Sequence, residues 1–184
     1  MKTIPDKTFG LKSSTDLYLK LLFDIDRLQS AQCTKAIQYA AFDAAVTASH
    51  ILDWVLHELD DAAHLRLTGC EKGKKPKKGE IGPVAGFIQK NGGLGGLEFC
   101  RQIANSVKHV VITMGPVMTN MSTGSTIKLE WKDRQVVNAY AYAYIKIDGQ
   151  KYPVVDLFQD MADQWLKFLV DEGLWVEQPP DHDE

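Results

Sequence analysis

The pattern of apolar and polar positions divides the chain into a helical stretch, a stretch of strands and a final helix. Ser13, Ser14 or Thr15 can cap a first helix whose apolar positions are Leu17, Leu21, Leu22, Ile25 and Leu28. A second helical region runs from near Ser30 to about Leu67, long enough that a kink or a split into two is expected. Its dry side includes Ala41, Ala45, Leu52, Val55, Leu56, Leu59 and Ala63. After a Gly/Pro/Lys loop that starts at Thr68, Pro83 opens a short helix reaching Lys90, proline being tolerated in a first turn. A glycine-rich turn, Asn91 to Gly96, then leads into Leu97–Thr113, LEFCRQIANSVKHVVIT. There Phe99, Cys100, Ile103, Val107, Val110 and Val111 recur at the three- and four-residue steps that stack side chains on one helical side. Gly115-Pro116 ends this helix, around which the rest of the fold is expected to pack.

Beyond Pro116 the period changes from helical to alternating. Ile127, Leu129 and Trp131 face one way and Lys128 and Glu130 the other, the signature of a strand. Lys132 to Gln135 is a polar turn. Val136 to Ile147 forms a second strand, with Ala139, Ala141, Ala143, Ile145 and Ile147 alternating against Asn138, Tyr140, Tyr142, Tyr144 and Lys146. Asp148-Gly149 is a hairpin turn, and Gln150 to Val154 returns as a third strand. Val155 to about Val170 is a last amphipathic helix with Phe158, Met161, Trp165, Phe168 and Leu169 on its apolar side. The expected fold is α+β and mainly α: a helical bundle with a small three-stranded antiparallel meander before the final helix. Residues 1–12 read as a flexible arm, 13–173 as a single domain with the meander at about 125–154, and 174–184 as an acidic tail.

Composition narrows the class without naming a function. The 184 residues fit one domain, and an apolar share of 45% is that of an ordinary globular protein. A net charge of −3 argues against a general nucleic-acid or membrane-surface binder. The charge is uneven, however: Arg66 to Glu80 carries six basic residues against two acids. Three cysteines, Cys33, Cys70 and Cys100, form no CxxC pair and no disulfide framework. With no apolar leader at the N-terminus and no run long enough to span a bilayer, the expected compartment is the cytoplasm.

Two constellations can carry chemistry. His50, Asp53, His57, Asp60, Asp61 and His64 fall within a sector of roughly 100° on the second helix. Imidazole and carboxylate groups one turn apart can converge on a transition metal, yet the same sector is where solvent belongs on an amphipathic helix. The second set lies on the polar side of the Leu97 helix, with Arg101, Asn105 and His109 at i, i+4 and i+8 and Lys108 beside them. Histidine titrates near neutrality, arginine and lysine hold phosphate, and asparagine can orient the ring. Such a kit suits metal-independent cleavage of RNA by attack of a 2′-hydroxyl on the adjacent phosphate; a solvated helix face accounts for it as well. Lys74, Lys75, Lys77 and Lys78 can clamp a nucleic-acid backbone or simply solubilise their loop. Tyr140, Tyr142 and Tyr144 can stack bases or pack across strands against the last helix.

The stretch His50-Ile-Leu-Asp53-Trp54 and the later Asn105-Ser-Val-Lys108-His109, followed by Asp148-Gly149 and Trp165, resemble a widespread group of uncharacterised bacterial helical proteins. More loosely, the helical part resembles the HEPN superfamily, whose signature is an Arg followed by a polar residue and, after four to six intervening residues, a His. Arg101-Gln102 and His109 keep that order with seven residues between them. The resemblance implies a dimeric, metal-independent ribonuclease of a toxin–antitoxin or phage-defence system. His109 would be the acid/base, Arg101 and Lys108 the phosphate ligands and Asn105 the orienting group. His50, Asp53 and His57 complete the site if the two helices pack polar edge to polar edge, and the lysine loop adds substrate contacts. No metal or cofactor is expected on this reading, and RNA and a second copy are the expected partners. A non-enzymatic module that holds a protein partner is the alternative, and a metal-dependent hydrolase using the His/Asp face is a third.

Overall fold

The computed structural model describes residues 8–108, 118 and 120–177. Helix α1 (Ser14–Gln29) starts where Ser13 and Asp16 form a reciprocal capping box. Glu58, arriving from the end of α2 (Thr34–Glu58), adds to that cap. The Ser14 backbone N–H donates to Glu58 Oε1 at 2.6 Å, and the Ser14 hydroxyl donates to Oε2. The two helices join through buried Leu21, Ile25 and Leu28 on one side and Ala40, Ala44 and Ala48 on the other. Between them Asp24, 1% exposed, accepts from Lys20 Nζ at 2.6 Å and Thr47 Oγ1 at 2.7 Å, which satisfies a carboxylate that burial would otherwise penalise.

The long helical region splits, and Asp60 is the reason. Its carboxylate accepts from the Ala63 N–H at 2.7 Å and so opens a new helix, α3 (Asp61–Thr68). Lys72 Nζ meanwhile donates to the carbonyls of His57 at 2.8 Å and Leu59 at 2.5 Å, taking oxygens that the end of α2 leaves unpaired. Helix α4 (Pro83–Lys90) packs on α3 so closely that a Cβ on Gly86 would lie 2.1 Å from the Thr68 carbonyl oxygen. A single 3-10 turn, Gly92–Leu94, leads into α5 (Leu97–Lys108). The last helix, α6 (Val154–Asp171), supplies Trp165, the largest fully buried side chain among the described residues. Trp165 lies 6.4 Å from Phe87 in a stacked arrangement, and Phe168 meets both rings edge-on at 5.6 and 5.3 Å.

The strands β1 (Met121–Lys132), β2 (Gln135–Ile147) and β3 (Gln150–Pro153) form one antiparallel sheet in the order β1-β2-β3. The fold is therefore α+β and mainly α, with the meander directly before the final helix. The sheet begins at Met121, four residues before the sequence-based boundary. Both turns put two residues at positive φ, Asp133 and Arg134, then Asp148 and Gly149, which matches the twist of a tight hairpin. Ala141, Ala143 and Ile145 are buried on the helix side, and Gln38 Nε2 of α2 donates to Ser125 Oγ at 2.7 Å. Farther out, β1 and β2 continue as a two-stranded ribbon. The tyrosines alternate with Ala141, Ala143 and Ile145 and so are on the opposite side from the helices, which sets aside the one of the two readings in which they pack against α6. Tyr142 and Tyr144 stack at 5.9 Å, with the Nζ atoms of Lys128 and Lys151 each 4.0 Å above a ring.

The start of the expected tail is also part of the body. Thr15 Oγ1 donates to the Leu174 carbonyl and accepts from the Val176 N–H, both at 3.1 Å. The Trp175 ring meets Tyr18 edge-on at 5.7 Å. Among the described residues no helix is long and apolar enough to cross a membrane.

Candidate functional site

Helix α5 turns Leu97, Cys100 and Ala104 into the core and carries Arg101 and Asn105, one turn apart, along its rim. On α2, His50 and Asp53 occupy the matching rim one turn apart. The two rims meet in a cavity of about 240 Å³ lined by His50, Asp53, Arg101 and Asn105, with Ser49, Leu52, Leu97 and Ala104 behind them. Val84, in the first turn of α4, closes one side. Two short motifs some fifty residues apart thus share one cleft because α2 and α5 pack side by side.

Other predicted residues are placed differently. His57 is exposed one turn farther along α2 and does not line the cleft. His109 lies outside the described residues, four positions past Asn105, and so does the Lys108 side chain. Lys74, Lys75 and Lys77 border a wide groove of about 710 Å³ between their loop and α3 and α4, and Lys78 is exposed on the same loop. Lys74 pairs with Glu71 at 2.5 Å. The loop is held at both ends: Lys72 is tied to the end of α2, and Val84, just after the loop, lines the cavity itself.

The expected His/Asp face does not persist as one ladder, because the helix ends at Leu59 and α3 starts with a new phase. Asp60 is occupied as a cap, and His64 is buried with Nδ1 2.9 Å from the Cys70 carbonyl oxygen. Among the described residues, no three His, Cys, Asp or Glu side chains converge as a metal would require.

Glu98 is the site residue to which the sequence reading gave no role. Arg101 donates to it twice, Nε to Oε2 at 2.8 Å and Nη2 to Oε1 at 2.6 Å, and Gln102 Nε2 adds a third bond at 2.7 Å. Burial by itself would raise the Glu98 carboxyl. The hydrogen bonds from Arg101 and Gln102, with the Arg101 charge, outweigh it and hold the group below its ordinary range. The bond to Glu98, and then its charge, push Arg101 up despite burial. The signal was present in the i, i+3 and i, i+4 spacing of Glu98, Arg101 and Gln102. Chemically the cleft offers an imidazole, a carboxylate, an amide and a guanidinium oriented by its own helix. It is smaller than the pockets that enclose drug-sized ligands and suits one polar group of a larger molecule, such as a phosphate with its sugar. Comparison with protein-family models, curated proteins and solved structures finds no significant match to this chain.

Proposed function

We propose that the protein binds RNA at the α2–α5 cleft and cleaves it without a metal, acting in the cytoplasm as part of a phage-defence or toxin–antitoxin system. The observation that carries this reading is the meeting of His50 and Asp53 with Arg101 and Asn105 in one polar cavity. One phosphate of the backbone enters the cavity, and Arg101, held by Glu98, offsets its charge. Asn105 orients the sugar-phosphate unit, and His109, four positions farther along the sequence, serves as acid/base for attack of the 2′-hydroxyl. The exposed lysines at 74, 75, 77 and 78 engage neighbouring phosphates.

The test is cleavage of a structured and an unstructured RNA by wild type, His109→Ala and Asn105→Ala, with and without a chelator. Cleavage that survives chelation and is lost in His109→Ala supports the reading; equal inactivity of all three, with no RNA bound, overturns it. A non-enzymatic binding module is the second reading. It is favoured by the Glu98–Arg101–Gln102 network, whose mutual bonds are those of an ordinary structural helix face.

A further inference from the structure

The outer half of the β1–β2 ribbon is an apolar surface with nothing over it among the described residues. Ile127, Leu129 and Trp131 share the helix-facing side of β1, yet they are 45%, 47% and 63% exposed. Their neighbours Val136 and Val137 on β2 are exposed as well. β3 reaches only Tyr144 to Ile147 of β2, so from Ile127 outward the ribbon has two strands. A lone two-stranded ribbon is marginal in water, and a long edge strand is a template for further pairing. Lys128 would normally discourage such pairing, since charge on an edge strand repels a like neighbour.

The sequence of β1 answers that charge. Consider a second β1 strand laid antiparallel against the first about a two-fold axis through Leu129. Leu129 then faces Leu129 of the second copy, and Ile127 faces its Trp131, all on the apolar side. On the other side Lys128 faces Glu130 of the second copy, and Glu130 faces its Lys128. Moving the axis by one residue, to Lys128 or Glu130, would set like charges directly against each other. The register shift between Glu130 and Trp131 does not interrupt this, because the extra residue is Val137 in β2 and β1 keeps its alternation. The helical body lies at the opposite end of the ribbon from the Asp133-Arg134 turn, so the two bodies of such a pair stay apart.

We infer that this edge is a self-association site: two copies of the chain pair through β1, antiparallel and centred on Leu129, to form a continuous sheet in which Ile127, Leu129 and Trp131 pack sideways against their counterparts across the axis. The inference does not depend on RNA cleavage, since none of these residues lines the α2–α5 cleft.

The full chain is examined by sedimentation across micromolar concentrations, with two sets of variants. Lys128→Glu sets two like-charge pairs across the axis and weakens the dimer by about tenfold or more, whereas Lys128→Glu combined with Glu130→Lys restores both pairs and the association. In a Cys33→Ser background, Leu129→Cys oxidises to a covalent dimer, because directly opposed residues fall within disulfide reach. Lys128→Cys, whose copies lie diagonally at roughly 7–8 Å, crosslinks poorly. A chain that stays monomeric, or a dimer indifferent to Lys128→Glu, overturns the inference and leaves the ribbon to a different partner. So does equal crosslinking at 128 and 129.

Discussion

The helical body and the outer ribbon are built from equally regular apolar patterns, and they end in opposite environments. Trp165 recurs at helical spacing with Phe158, Met161 and Leu169, and all four are essentially inaccessible to solvent. Trp131 recurs at strand spacing with Ile127 and Leu129, and it is 63% exposed. Periodicity decides which side chains share a face. Whether a face is covered depends on what lies opposite it, and only the inner part of the sheet, out to Ala141, has helices opposite.

The widest separation is expected between the two tryptophans. Trp165→Ala removes a ring stacked on Phe87 and met edge-on by Phe168 and should cost about 3–5 kcal/mol in urea unfolding. Trp131→Ala, measured in the Lys128→Glu background, should stay within about 0.5 kcal/mol. A large cost there would mean that the ribbon is packed within a single chain. The glycines sharpen the contrast at smaller scale. Gly86→Ala sets a methyl against the Thr68 backbone, which cannot withdraw without parting α3 from α4, and should cost about 1–3 kcal/mol. Gly124→Ala also sets a methyl too close to a neighbour, 2.6 Å from the Tyr144 hydroxyl oxygen, but that half-buried side chain can swing outward, so the cost should fall below about 1 kcal/mol.

Acid tests the body at its rim. Glu98 is held below the ordinary carboxylate range, so its contribution is complete above that range and is lost as pH falls from it down through the lowered value. Glu98→Gln should cost under about 1 kcal/mol at neutral pH and remove this part of the acid sensitivity in unfolding measured from pH 7 downward. The mildest probe leaves stability untouched. Burial pushes the Cys100 thiol up to about 12, so a thiol reagent at neutral pH should label exposed Cys33 promptly and reach Cys100 only on unfolding. Prompt labelling of Cys100 would show that α5 opens readily.

Much of the architecture was legible because the local signals agree. Pro83 and Lys90 bound α4 as their residue types suggest, and Asp148-Gly149 closes its hairpin. Asp60 fits a helical ladder by its spacing and a helix cap by its residue type, and the cap prevails: its carboxylate takes the Ala63 N–H while Lys72 takes carbonyls at the end of α2. Leu174 and Trp175 read as the start of a tail because acids and prolines follow them. Their pockets are formed by Thr15 and Tyr18, about 160 residues earlier, which no local pattern reveals.

The sequence by itself determined the elements, the strand order and the composition of the two helix rims, because periodicity, caps and turn residues act over a few positions. Only the tertiary structure decided that His50 and Asp53 face Arg101 and Asn105, that His57 does not, and that Ile127, Leu129 and Trp131 stay uncovered. Each of these depends on how rigid elements cross and where they end. A residue can encode the side of its helix or strand, but the surface opposite is supplied by another part of the chain.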